Sequence, residues 1–173
     1  MPDVTMNNTT IFLDRDGVIN YKLDNTYVKS WFEFEFLPQA KEALRFLSEA
    51  GYRLIIVTNQ RGVALGLMNN AEVEDIHSRM LAELENAGAK ISAVYYCPHE
   101  KGQCDCRKPE VGMFLQAQKD FPAIDFTNAV MIGDSLSDME AGHKLRCRNI
   151  LIGENLDYED ASSLYEAVTK YLS

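Results

Sequence analysis

Short apolar runs alternate with longer amphipathic stretches along this chain. Thr10-Ile11-Phe12-Leu13 is apolar until it meets Asp14, which predicts a short buried strand ending in a carboxylate. Ala40, Ala43, Leu44 and Leu47 then recur at helical spacing between Pro38 and Ala50, with Gly51 as the stop signal. Ile55-Ile56-Val57 is the β-branched centre of a strand over Tyr52–Thr58. The next helix starts near Asn69, with Glu72 three residues on in a capping-box arrangement, and Gly88 closes it. Val73, Ile76, Met80 and Leu84 form its inner stripe. Further strands are expected at Ile91–Tyr96, Ala129–Gly133 and Asn149–Ile152. Further helices are expected at Pro109–Asp120, Ser137–Leu145 and from Ser162 onward.

Strand and helix alternate throughout. The expected fold is therefore one doubly wound α/β domain over residues 1–173, with a parallel sheet of about five strands and right-handed crossovers. No interval between the predicted elements has room for a large cap domain. Sites in such folds lie beyond the carboxyl ends of the strands, at the topological switch point.

Composition agrees and then narrows the partners. The 173 residues are 46% hydrophobic and 25% charged, enough apolar mass for one core. Asp and Glu number 26 against 17 Lys and Arg, a formal charge of −9. That balance repels polyanions, so neither nucleic acid nor an anionic membrane is an expected partner, while a small anionic metabolite stays open. No apolar run approaches the ~20 residues that span a bilayer, and Met1–Thr5 shows no basic-then-apolar leader. The expectation is a cytoplasmic monomer.

Chemistry gathers at the strand ends. Asp14-Arg15-Asp16-Gly17 follows the first strand, Thr58-Asn59-Gln60 the second, and Gly133-Asp134-Ser135-Leu136-Ser137-Asp138 the fourth. Any one of these aspartates suits a cap on the turn or helix that follows it. Three carboxylates converging on one sheet edge repel each other unless a cation sits among them, and a hard ion such as Mg²⁺ takes oxygen ligands.

Taken in order, these segments resemble the motifs of the haloacid dehalogenase (HAD) phosphohydrolases: Ile11 to Gly17 the first, Thr58-Asn59-Gln60 the second, Lys108 the third, and Gly133-Asp134 through Asp138 the fourth. The resemblance implies that Asp14 is a nucleophile forming an aspartyl-phosphate and that Asp16 is the general acid and base. It implies that Thr58 and Lys108 stabilise the phosphoryl group, and that Mg²⁺ is held by Asp14, Asp16 and Asp134. Asp138 is expected either to orient Lys108 or a metal-bound water, or to serve as a helix N-terminal charge.

The loop from Cys97 to Cys106 carries three thiols and one imidazole, Cys97, His99, Cys104 and Cys106, spaced C-x-H-x₄-C-x-C. In a reducing compartment such clustering favours a metal over disulfides. Three Cys and one His make a closed tetrahedral Zn²⁺ shell, hence a structural role. The alternative, unliganded loop cysteines, fits less well, because free thiols favour burial. The run from Cys97-Pro98-His99 to Arg107-Lys108-Pro109 resembles the zinc-containing HAD subfamily, which includes heptose bisphosphate and histidinol-phosphate phosphatases.

That resemblance implies Mg²⁺-dependent removal of the 7-phosphate from D-glycero-D-manno-heptose 1,7-bisphosphate. Histidinol phosphate or another small sugar phosphate is the alternative, and a receiver-like signalling domain a remote one. Asn20, Asn59, Gln60 and Arg107 are the expected substrate contacts, although Arg107 also suits a plain surface arginine. Ser135 and Leu65 stand where basic residues are frequent in the family. The aromatic cluster Tyr27, Trp31, Phe32, Phe34 and Phe36 is expected to pack a loop on the sheet. His77 and His143 are expected to be surface or satisfied residues, and Cys147 a small buried one.

Overall fold

The computed structural model describes residues 7–173. Its six strands are β1 (Thr10–Leu13), β2 (Arg53–Asn59), β3 (Ala93–Cys97), β4 (Val130–Gly133), β5 (Arg148–Ile152) and β6 (Glu159–Ala161). They form one sheet in the order β3-β2-β1-β4-β5-β6 with every pairing parallel. The order reverses between β1 and β4, so the switch point falls where Asp14 and Asp134 leave the sheet.

Period-two alternation sorts the strand residues onto two faces. Ile11, Leu13, Leu54, Ile56, Ile132 and Ile150 enter one core with α1 (Ala40–Glu49), α2 (Asn70–Asn86) and α5 (Leu164–Tyr171). Phe12, Ile55, Val57, Met131 and Leu151 enter the other with α3 (Gly112–Asp120) and α4 (Leu136–Lys144). The N-termini of α2 and α4 are held by capping boxes, Asn69 with Glu72 and Ser135 with Asp138. No helix of the described residues is long and apolar enough to cross a membrane.

Two expectations need correction. The sheet has six strands where about five were expected, because β6 reads Glu-Asp-Ala, a poor strand sequence. Its edge position is stabilised from outside: Arg148 on β5 donates through Nε and Nη2 to both oxygens of Glu159, at 2.7 and 2.9 Å. Second, α3 begins at Gly112 rather than Pro109. The preceding backbone is spent on a turn, with Glu110 N donating to Arg107 O and Gly112 N to Asp105 O.

Ile56 is fully buried at the centre of β2. Ile56→Ala is expected to cost about 2–5 kcal/mol by urea denaturation, through lost transfer energy and a residual cavity. Leu156→Ala, at a fully exposed position, is expected to stay within about 0.5 kcal/mol.

Candidate active site

Beyond β1 the chain turns back on itself. The Arg15 carbonyl accepts from the N–H groups of Val18, Ile19 and Asn20, and this knot presents Asp14 and Asp16 to the same edge. Asp14 N donates to Ile132 O at 3.0 Å, tying the turn to β4. Gly17 has φ +83°, and a side-chain carbon there would fall inside the Asp134 carboxylate, so only glycine permits this approach.

Lys108 is the centre of charge. It is 2% exposed, and its Nζ lies 2.7 Å from Asp138 Oδ1 and 3.1 Å from Asp14 Oδ1, while donating to Val57 O at 2.7 Å. Burial works against the ammonium, but Asp138 and Asp14 override it and raise the Lys108 pKa. Asp14 is pushed well above the usual carboxylate range, first by burial and then by the Asp138 charge, with Lys108 opposing. Asp134 is also raised, first by burial, with Lys22 opposing.

Oxygens of Asp14, Asp134 and Asp138 lie within 4.8 Å of one another. Asp134 Oδ1 is buried without a hydrogen-bond partner. Crowded carboxylates, two with raised pKa and one with an orphaned oxygen, fit a divalent cation with oxygen ligands. Asp16 was expected in this set, but its carboxylate stands outside the group and Asp138 inside. The physical reason is that both Asp16 oxygens are already occupied. Oδ1 accepts from Arg15 Nη2 at 2.9 Å and from Asn20 Nδ2 at 2.9 Å. Oδ2 accepts from Gln60 Nε2 at 2.9 Å and from Arg15 Nη2 at 3.2 Å. Burial opposes ionisation of Asp16, but the Arg15 charge and these hydrogen bonds hold its pKa below the ordinary value.

Asp138 holds two roles at once. Its Oδ1 faces Lys108, and its Oδ2 accepts from Ser135 N and Ser135 Oγ as the capping partner of α4. Gly133 makes room for it, since a side-chain carbon there would overlap the Asp138 carboxylate.

A cleft of about 230 Å³ opens over these groups, lined among others by Asp14, Asp16, Asn59, Arg107, Lys108 and Asp134. Arg107 Nη1 on its wall is buried without a partner. Asn59 lines the cleft and also locks its floor: its Nδ2 donates to Lys108 O at 3.1 Å and its Oδ1 accepts from Lys108 N at 3.0 Å. Asn20 and Gln60, expected to meet substrate, are fully buried, and their amide nitrogens donate to Asp16, while Asn20 Oδ1 and Gln60 Oε1 have no partner. Thr58 is fully buried, and its Oγ1 accepts from Gln60 Nε2 at 2.9 Å.

Of the aromatic cluster, Trp31 stacks on Phe34 at 4.9 Å and Phe36 meets Phe34 edge-on at 5.0 Å, all three packed against the core. Phe32 is 98% exposed and Tyr27 lines the cleft, so neither packs with them as expected.

Two groups near the cleft escaped the sequence reading. Lys22 reaches Asp134 Oδ2 at 3.4 Å, supplying a cation where Ser135 supplies none. Arg15 is fully buried beside Asp16, and its other partner is His77, 6% exposed, the satisfied residue of the two expected alternatives and not the surface one. The one sequence signal for Lys22 was its place in the loop after the first motif.

The cysteine loop closes into a four-atom nest. Cys97 Sγ lies 3.1 Å from Cys106 Sγ and 3.5 Å from Cys104 Sγ. His99 Nδ1 lies 3.2 Å from Cys106 Sγ and 3.5 Å from Cys97 Sγ. All four ligand atoms fall within 4.8 Å, close to the ~3.8 Å edge of a tetrahedron with 2.3 Å zinc–sulfur bonds. This set fits Zn²⁺. Arg107 N donates to Cys104 Sγ at 3.4 Å and Gln60 N to Cys97 O at 2.7 Å. The nest is thereby joined to the backbone on both sides of the cleft.

Comparison with known proteins agrees with this geometry. The polynucleotide kinase 3 phosphatase family model matches residues 10–163. A D-glycero-alpha-D-manno-heptose-1,7-bisphosphate 7-phosphatase of Campylobacter jejuni is 42% identical over 137 residues, covering 79% of this chain and 77% of that protein. A D-glycero-beta-D-manno-heptose-1,7-bisphosphate 7-phosphatase of Vibrio cholerae is 41% identical over 144 residues, covering 79% and 76%. The crystal structure of D,D-heptose 1,7-bisphosphate phosphatase from B. bronchiseptica, complexed with magnesium and phosphate, superposes with a TM-score of 0.86 at 30% identity, covering 95% of this chain and 98% of that one. The chain is a phosphatase and belongs to the heptose 1,7-bisphosphate phosphatase family of the HAD superfamily.

Proposed function

We propose that this enzyme removes the 7-phosphate of D-glycero-D-manno-heptose 1,7-bisphosphate through an aspartyl-phosphate on Asp14. The observation that carries the reading is the convergence of Asp14, Asp134, Asp138 and Lys108 in one cleft, with Asp16 gripped beside them. Relatives named for both the alpha and the beta anomer support the 7-phosphate as the shared target.

Asp14 attacks phosphorus in line with the leaving oxygen. The phosphorus–oxygen bond to the sugar breaks as Asp16 gives its proton to that oxygen. Water then attacks the aspartyl-phosphate and gives a proton to Asp16, the bond to Asp14 breaks, and inorganic phosphate leaves. Asp16 rests ionised; an anionic phosphoryl group beside it raises its proton affinity, so it takes the proton for the first step from solvent as the ester binds and returns one to solvent after phosphate leaves. Thr58 and Lys108 donate to the phosphoryl oxygens. Asp14 and Asp134 hold Mg²⁺, with Asp138 facing the same site. When bound, the ion offsets the negative charge shared by carboxylates and phosphoryl oxygens. Arg107, with its unpartnered Nη1 on the cleft wall, takes the second phosphate as a charge-assisted donor.

Cys97, His99, Cys104 and Cys106 hold Zn²⁺ in a structural role. The ion fixes the loop that presents Arg107 and Lys108, both within two residues of a ligand.

With Mg²⁺, phosphate release is expected to be fastest on the heptose 1,7-bisphosphate, to stop at the 1-monophosphate, and to be slower on histidinol phosphate. Asp14→Asn is expected to cut kcat at least about a thousandfold. A higher kcat/KM on histidinol phosphate would overturn the substrate, and turnover by Asp14→Asn would overturn the nucleophile. Removing zinc is expected to lower kcat/KM at least about tenfold while the far-ultraviolet circular dichroism is retained. A zinc-free enzyme with unchanged kcat and KM would refute the loop's role.

A further inference from the structure

The Arg15 side chain is fully buried yet charged, a costly arrangement that needs its donors matched. Only one of its nitrogens, Nη2, reaches Asp16, and it serves both carboxylate oxygens at 2.9 and 3.2 Å. This is not the two-nitrogen fork that fixes a guanidinium plane against a carboxylate. One shared nitrogen leaves the plane free to pivot. Nε has no partner, and the Phe34 ring lies 5.9 Å from Cζ.

The second fixed point comes from α2. His77 Nε2 lies 3.0 Å from Arg15 Nη1. Arginine can only donate, so Nε2 must offer its lone pair and the ring must be neutral with its proton on Nδ1. Burial, aided by the Arg15 charge, lowers the His77 pKa to about 3, which keeps that state across the working range. The Tyr96 ring packs edge-on to His77 at 5.7 Å, and the Tyr96 hydroxyl sits 3.2 Å from both Asn70 Oδ1 and Glu74 Oε1 on α2. His77 interrupts an otherwise apolar inner stripe of Val73, Ile76, Met80 and Leu84, where a leucine would pack at no electrostatic cost.

We propose that His77 is a positioning residue for the acid–base carboxylate, its Nε2 fixing the Arg15 guanidinium that grips Asp16. The inference rests on the reading of Asp16 as general acid. It predicts a defect in protonating the leaving oxygen and not in binding phosphate. A poor leaving group needs that proton, whereas 4-nitrophenolate departs without it.

The test compares kcat/KM on a sugar phosphate and on 4-nitrophenyl phosphate for the Mg²⁺-loaded full chain, because kcat/KM reports the step in which the ester bond breaks. His77→Leu is expected to lose about tenfold on the sugar ester and less than about twofold on the nitrophenyl ester. Inhibition by inorganic phosphate, which reads binding alone, is expected to change less than about twofold. His77→Gln, which keeps an acceptor, is expected to restore the wild-type ratio. His77→Met takes the apolar arm if the leucine variant does not fold. Equal losses on both esters, no loss on either, or a glutamine variant as impaired as the apolar one would overturn the proposal. Asp16→Asn in the same assay separates the two readings. A leaving-group-dependent loss there, with none at His77, sinks the role of His77 alone, whereas equal losses at Asp16→Asn sink the general acid itself.

Discussion

Four segments distant in sequence depend on one buried ammonium. Lys108 Nζ bridges Asp14 after β1, the Val57 carbonyl on β2 and Asp138 in α4, and its own backbone is clamped by Asn59 and follows directly on the cysteine loop. Without that charge two buried carboxylates would face each other across β1 and β4, where Asp14 already suffers from burial and from Asp138. Removing one partner of a buried pair leaves an uncompensated charge, so the cluster holds together or fails as a unit. The cysteine nest makes sense in the same terms. A short polar loop has little core of its own, and the proposed zinc would fix it where packing cannot.

The sequence carried the frame of this site because each key aspartate ends an apolar strand, and strand ends in a doubly wound sheet converge by topology. Asp14, Thr58 and Asp134 are legible for that reason, Lys108 only through its resemblance to the third motif of the family, and the Cys97, His99, Cys104 and Cys106 cluster through its local spacing. What lay out of reach depends on tertiary burial of polar side chains. Asn20 and Gln60 look like substrate contacts because polar residues near a motif are usually exposed, yet both are fully buried and donate through their amide nitrogens to Asp16. His77 follows Ile76 on a helix and looks incidental, since nothing in a helical repeat announces an arginine arriving from another loop. β6 was hidden for another reason: its Glu159 is a poor strand former rescued by Arg148 across the sheet edge.

Net charge is a blunt guide here. An acidic chain disfavours polyanions, yet the cleft combines Lys108, Lys22, Arg107 and a proposed cation site among acidic groups. Lys22 illustrates how position outweighs composition. It is 61% exposed and belongs to a loop, but it stands against Asp134 at the mouth.

Asp14 and Asp16 are two residues apart, and their surroundings push them in opposite directions. Burial and the Asp138 charge raise Asp14, whereas Arg15 and two amides overcome burial and lower Asp16. Divergent environments are how one site assigns different tasks to like groups. The proposed cation site would add positive charge beside Asp14, where Lys108 already opposes burial, and so favour the ionised form that attacks. The lowered one rests as a base and gains a proton only when an anionic ester stands beside it. In the proposed reaction each carboxylate therefore answers to its own partner, the ion for Asp14 and the phosphate ester for Asp16. The rigid grip on Asp16 is what allows a weak base at a fixed place to serve both halves of the cycle.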